Sequence, residues 1–106
     1  MKVNGNLEIA DEKLAALCRK WRITEFALYG SVLREDFRQD SDVDVLVTFE
    51  DGSHWTLFDL VHMEDELAEL FGRKVDLAER AGIEQSPNYI RRRRILGSAE
   101  NIYVRG

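Results

Sequence analysis

Apolar positions along the chain fall into two kinds of run, one spaced for helices and one for strands. Leu14, Leu17, Cys18 and Trp21 recur at i, i+3, i+4 and i+7, which predicts a first helix over about Asp11 to Trp21 with Asp11 as its N-cap. Phe26-Ala27-Leu28 predicts a strand over about Thr24 to Tyr29 that stops at Gly30-Ser31, and Val32 to Phe37 then reads as a short helix. Val43, Val45 and Val47 alternate with other residues, so a second strand runs from Val43 to Phe49 with its valines on one face. Glu50-Asp51-Gly52 is a turn, and Thr56 with Asp59 starts a helix in capping-box fashion. Its apolar stripe is Leu57, Leu60, Val61, Leu67 and Phe71, ended by Gly72. A third strand is predicted at Lys74 to Ala78. Ser86-Pro87 opens another short helix, which Gly97 ends, and Ile102 to Val104 form a last strand. Alternating helices and strands of these lengths imply an α/β (α+β) fold, a small mixed β-sheet covered by helices, as a single domain over residues 1–106.

Composition narrows the class. Of the 106 residues 44% are hydrophobic, as in a globular protein rather than a disordered one. The net charge of −5 argues against binding nucleic acid through counterion release, so no direct nucleic-acid partner is expected. Cys18 is the only cysteine, which excludes an internal disulfide, fits a reducing compartment and, on its apolar stripe, reads as core. No run approaches 18 apolar residues and the start lacks the apolar stretch of a signal peptide. The expectation is a cytoplasmic protein without a membrane partner.

Candidate chemistry concentrates between Leu28 and Phe49. Asp42 and Asp44 stand on the strand face opposite the valines, their Cα atoms about 6.6 Å apart at the usual strand rise. Carboxylates that close raise each other's pKa unless a cation sits between them, and oxygen-only ligands suit Mg²⁺ carried on a phosphate. Gly30-Ser31 supplies the complement, since glycine permits close backbone approach and amides opening a helix attract phosphate. Asp76, between Val75 and Leu77, faces the same cleft if the third strand lies beside the second. Arg34 can pair with Glu35 or Asp36 on the surface, where such pairs stabilise little. His54 and His62 complete no metal-ligand spacing, and Glu64, Asp65, Glu66 and Glu69 read as a solvated helix face. Arg91-Arg92-Arg93-Arg94 splay around a helix, so they cannot all meet one ligand. The plain readings are a solvated face or pairing with acids elsewhere in the chain; the sharper ones are an acidic partner or a nucleotide's phosphates, and of these the acidity of the whole chain favours the partner.

Gly30-Ser31, ten intervening residues and then Asp42-x-Asp44 resemble the signature of the polymerase-beta-type nucleotidyltransferase superfamily. Tyr29 before the glycine, Arg34 after the serine and Ser41-Asp42-Val43-Asp44 resemble its minimal nucleotidyltransferase branch; Glu35 replaces the usual small residue. The resemblance spans roughly Phe26 to Val104 and implies the nucleotidyltransferase fold. It implies Asp42, Asp44 and Asp76 as catalytic, Mg²⁺-binding carboxylates, with Asp76 the third acid that can take the acceptor's proton. It implies Gly30, Ser31 and Arg34 as nucleotide-binding residues and Mg-ATP as substrate, with AMP transferred to a hydroxyl and pyrophosphate released. Proteins of this branch resemble the antitoxin of a toxin–antitoxin pair whose partner is a HEPN-family ribonuclease toxin, adenylylated (AMPylated) on tyrosine. So short a chain leaves little for an acceptor domain, which points to a partner chain or a homo- or hetero-oligomer. Two alternatives stand beside this: adenylylation of a small hydroxylated molecule such as an aminoglycoside, and neutralisation of a partner by binding alone.

Overall fold

A computed structural model describes residues 1–105. The chain opens with a hairpin of β1 (Lys2–Val3) and β2 (Leu7–Glu8), followed by α1 (Asp11–Lys20), β3 (Ile23–Tyr29) and a 3-10 turn (Gly30–Leu33). Then come β4 (Val43–Phe49), α2 (Leu57–Phe71), β5 (Val75–Glu79), α3 (Arg80–Glu84), α4 (Tyr89–Ser98) and β6 (Glu100–Val104). The main sheet has strand order β5-β4-β3-β6. β3 is antiparallel to β4 and β6, whereas β4 and β5 are parallel, so the sheet is mixed as the alternation of elements predicts.

Alternation along the strands decides what each face buries. Phe26, Leu28, Val43, Val45, Val47 and Val75 join Leu14 and Cys18 of α1 and Met63, Leu67 and Phe71 of α2 in one core. Fully burying an aliphatic or aromatic side chain of this size stabilises by about 1.5–3 kcal/mol. The opposite face buries Ala27, Tyr29 and Leu46 under Ile83 of α3 and Ile95 of α4. The sheet is therefore covered on both sides, and its second face is only partly apolar. Cys18 is fully buried, and burial pushes its thiol up to about 12, consistent with a packing role.

Several elements differ from their sequence expectation, each for a local reason. Ala10 is the N-cap of α1 and makes no side-chain bond; Asp11 is the first helical residue, where its charge still favours the helix's positive end. The capping box of α2 forms as expected: Asp59 N donates to Thr56 Oγ1 at 3.2 Å, and Thr56 N to Asp59 Oδ2 at 2.8 Å. Its buried stripe, however, is Met63, Leu67 and Phe71 with Leu60 beside it, while Leu57 and Val61 remain 77% and 49% exposed. Leu60, Met63, Leu67 and Phe71 hold one helix face; Val61 rotates off it and Leu57 sits at its margin in the first turn. Glu64 leaves the solvated face to accept the Leu77 N–H at 2.9 Å, supplying a partner to the edge strand β5. The helix expected over Val32 to Phe37 is only the 3-10 turn Gly30–Leu33, and α3 has no counterpart in the periodicity. Helix α4 is capped by Asn88, which accepts the Arg91 N–H at 3.1 Å, so Ser86-Pro87 lie outside it and it runs through Gly97. No helix among the described residues is long and apolar enough to cross a membrane.

Candidate active site

Strand register assembles the site. Tyr29 of β3 pairs with Asp44 of β4, and Asp44 pairs with Asp76 of β5, so three side chains form a row across the sheet's second face. Neighbouring strands lie about 4.8 Å apart, which brings the two carboxylates side by side. Past this row the face turns apolar, with Leu46 and Ala78 beneath α3 and α4. Ile83 and Ile95 thus pin the covering helices to one end of the face and leave the carboxylate end open.

That end is a cavity of about 700 Å³ bounded by Tyr29, Gly30, Arg34, Asp44 and Asp76 on the sheet side. Helix α4 and its N-cap form the other wall, through Ile90, Arg91 and Arg94 of the helix and Asn88 of the cap. Of the predicted residues the structure thus brings Gly30, Arg34, Asp44 and Asp76 together. Ser31 and Asp42 do not line the cavity. Asp42 is exposed just before β4, and its charge reaches Asp44. Arg34 also makes the plainer contact, its Nε donating to Asp36 Oδ1 at 3.0 Å between two exposed side chains.

Gly30 has a role the sequence does not show. Its φ of +77° belongs to the left-handed region, and a Cβ built on it would lie 2.3 Å from Asp44 Oδ2. On that side of the turn the Asp44 carboxylate lies against the glycine backbone. Two remote side chains brace the loop between Gly30 and Asp44. Asn6 Nδ2 donates to Val32 O and to Arg34 O, both at 2.8 Å. Arg73 Nη1 donates to Arg38 O at 2.7 Å and to Gln39 O at 2.9 Å, with its guanidinium 4.3 Å from the Phe37 ring.

Electrostatics in the row run against ionisation. Burial, then the charges of Asp76 and Asp42, raise the pKa of Asp44, and Arg34 opposes them. Burial followed by Asp44 and Asp76 pushes the Tyr29 phenol up to about 12, with Arg91 opposing. Tyr29 is therefore a neutral phenol, suited to donating a hydrogen bond and poorly suited to attack. Among the described residues no three His, Cys, Asp or Glu side chains already surround one point. The Asp44–Asp76 pair nonetheless fits a hard divalent cation, because Mg²⁺ is commonly held by one or two carboxylates plus substrate phosphates. A cation there would also remove the repulsion that raises Asp44.

Comparison with known proteins gives a consistent picture. The family model described as Nucleotidyltransferase domain matches residues 10–98. Protein adenylyltransferase MntA of Thermococcus cleftensis is 32% identical over 68 residues, covering 64% of this chain and 67% of the relative. A relative in Methanocaldococcus jannaschii, named as a candidate protein adenylyltransferase, is 32% identical over 72 residues, covering 68% of this chain and 75% of its own. Among solved structures, one described as a candidate minimal nucleotidyltransferase is 34% identical with a TM-score of 0.64, covering 84% of this chain and 85% of that one. A chain from the complex of a tri-AMPylated Shewanella oneidensis HEPN toxin with an MNT antitoxin has a TM-score of 0.59 at 14% identity, over 89% of this chain and 69% of that one. At that identity the likeness is one of fold.

Proposed function

The chain belongs to the nucleotidyltransferase domain family, and on that premise we propose that it transfers AMP from Mg-ATP to a hydroxyl of a partner protein. The partner in this reading is a HEPN-family ribonuclease toxin, modified on tyrosine and thereby silenced, with this chain as the antitoxin. One observation carries the chemistry: Asp44 and Asp76 stand side by side, in register, at the floor of an open cavity next to the Gly30 turn. A volume of about 700 Å³ falls in the range of small-ligand sites and accommodates a nucleotide. The names of the relatives support a protein acceptor.

Asp44 and Asp76 would hold Mg²⁺, with Asp42 adding its negative charge. When bound, the ion supplies charge neutralisation at the reacting phosphate. The amides of the Gly30–Leu33 turn and the Ser31 hydroxyl would bind phosphate oxygens, and Arg34 would add a guanidinium. The acceptor oxygen forms a bond to the α-phosphorus, and the bond from that phosphorus to the bridging oxygen breaks. Pyrophosphate leaves with the electron pair, while the hydroxyl proton passes to a carboxylate oxygen of Asp76. Catalysis of this kind is mostly positioning, which the bracing by Asn6 and Arg73 serves. The test is mass spectrometry of the partner encoded beside this chain after incubation with Mg-ATP. A partner that gains one or more AMP units and stays silenced after removal of this chain supports the reading. A silenced but unmodified partner supports binding alone, and an active, unmodified partner points to small hydroxylated acceptors.

A further inference from the structure

Four consecutive arginines lie near the start of α4, and the helix separates them. Arg92 turns back, its Nη1 donating to Ser86 O at 2.9 Å and its guanidinium lying 5.4 Å from the Tyr89 ring. Arg93 approaches the Tyr89 hydroxyl at 3.4 Å. Arg91 and Arg94 are three apart, hence on one helix face, and they line the same cavity as Asp44 and Asp76. Among the described residues neither guanidinium is paired with a carboxylate, although the chain holds 20 acidic residues against 15 lysines and arginines.

Two unpaired cations and two adjacent carboxylates thus share one cavity. A ligand suited to only one set is repelled by the other. An acidic peptide would meet Arg91 and Arg94 but face Asp44 and Asp76, and a lone divalent cation would have the reverse difficulty. A polyphosphate carrying a divalent cation satisfies both sets, and the planar fork of arginine matches phosphate oxygens. We infer that Arg91 and Arg94 bind the β- and γ-phosphates of the nucleotide and the pyrophosphate that leaves, making α4 the leaving-group wall of the site. This rests on the nucleotidyl-transfer reading and departs from the docking role that the acidity of the whole chain favours. In the transfer step the electron pair of the broken phosphorus–oxygen bond leaves on pyrophosphate. The two guanidinium groups neutralise that growing charge, and no proton moves at either arginine.

Calorimetric titration of the full chain with ATP, AMP and inorganic pyrophosphate, all with Mg²⁺, tests the inference. Both side chains are exposed, so Arg91→Ala/Arg94→Ala should keep its fold, checked by circular dichroism. Each lost guanidinium–phosphate contact should weaken ATP and pyrophosphate about 10-fold, about 100-fold for the pair, with AMP unchanged. Arg91→Lys/Arg94→Lys, which keeps charge without the fork, should fall between, and Arg93→Ala should match the wild type. Equal ATP affinity in wild type and double variant overturns the inference and leaves nucleotidyl transfer standing. Equal loss for AMP and ATP overturns the assignment to the β- and γ-phosphates. Arginine-dependent binding of pyrophosphate without binding of ATP supports the phosphate wall while refuting the nucleotide reading. A wild type that binds none of the three refutes both.

Discussion

Replacing Gly30 by alanine separates two effects that the structure superimposes. The first is conformational: at φ +77° a residue with a Cβ pays about 1–2 kcal/mol for the left-handed region. The second is a collision, because the new methyl would lie 2.3 Å from Asp44 Oδ2 and 3.3 Å from its carboxyl carbon. Relief requires Asp44 to leave its rotamer, at a cost of about 0.5–1.5 kcal/mol for a modest deviation. Gly30→Ala should therefore lose about 2–3 kcal/mol, and at about 4–8 °C per kcal/mol for a small domain that is a fall of about 10–20 °C in Tm. Gly52→Ala is the control, since Gly52 has φ +86° but nothing within 4 Å of a built Cβ; it should show the conformational part alone. Asp44→Ala in the Gly30→Ala background removes the colliding atoms, so the double variant should fall back toward the Gly52→Ala loss. With Asp44→Ala alone as the fourth corner, differential scanning calorimetry completes a double-mutant cycle. Mg-ATP affinity should follow the collision rather than the strain, falling in Gly30→Ala and staying unchanged in Gly52→Ala. If Gly30→Ala and Gly52→Ala lose the same stability, with no coupling to Asp44, the packing of Asp44 against the glycine backbone is not what the position requires.

Other perturbations probe the rest of the site and the core. The folded state raises the pKa of Asp44, so it binds that proton more tightly than the unfolded chain does; stability from this group is present at low pH and lost as pH rises through the folded pKa. Asp44→Asn should therefore raise Tm at neutral pH without Mg²⁺, gain nothing below the ordinary carboxylate range, and lower AMP transfer at least about 100-fold, read from Tm–pH curves and transfer from α-labelled ATP. Asn6→Ala removes two 2.8 Å bonds to the Val32 and Arg34 carbonyls and should cost about 1–2 kcal/mol in urea unfolding along with ATP affinity; unchanged affinity would show that the turn holds its shape unaided. Leu67→Ala should cost about 2–5 kcal/mol, whereas Leu57→Ala, 77% exposed, should stay within about 0.5 kcal/mol, a contrast measured by chemical denaturation.

What could be read from sequence was whatever local spacing encodes. Alternation at Val43, Val45 and Val47 placed Asp44 on the opposite face, and the same parity at Val75 and Leu77 placed Asp76 beside it once the strands pair. The capping box at Thr56 and Asp59 is local as well. Contacts distant along the chain leave no such mark. Asn6 reaches Val32, and Arg73 reaches Arg38, across segments whose periodicity says nothing about either bond. The packing of Asp44 against Gly30 follows from the Tyr29–Asp44 register, which no run of residues displays. Asn4-Gly5, with φ of 48° and 71°, is a local signal for the centre of a tight hairpin turn, but its flanking strands of two residues are too short to show alternation. The arginine run was visible, yet whole-chain charge is a poor guide to where Arg91 and Arg94 lie, because it averages over the acids that α4 does not meet.

The bracing of the Gly30–Asp44 loop from outside also bears on synthesis. A ribosome extends the chain from its amino terminus at about 5–20 residues per second, and by Phe49 the Gly30–Asp44 signature already exists as sequence. Arg73, Asp76 and the whole of α4 have still to be made, and the edge of β4 that will receive β5 is open. A nascent chain at that stage holds the motif without the site: no second carboxylate in register, no guanidinium wall and no clamp on Arg38 and Gln39. The cavity thus forms late and nearly all at once, when β5 pairs with β4 and α4 packs over the second face of the sheet.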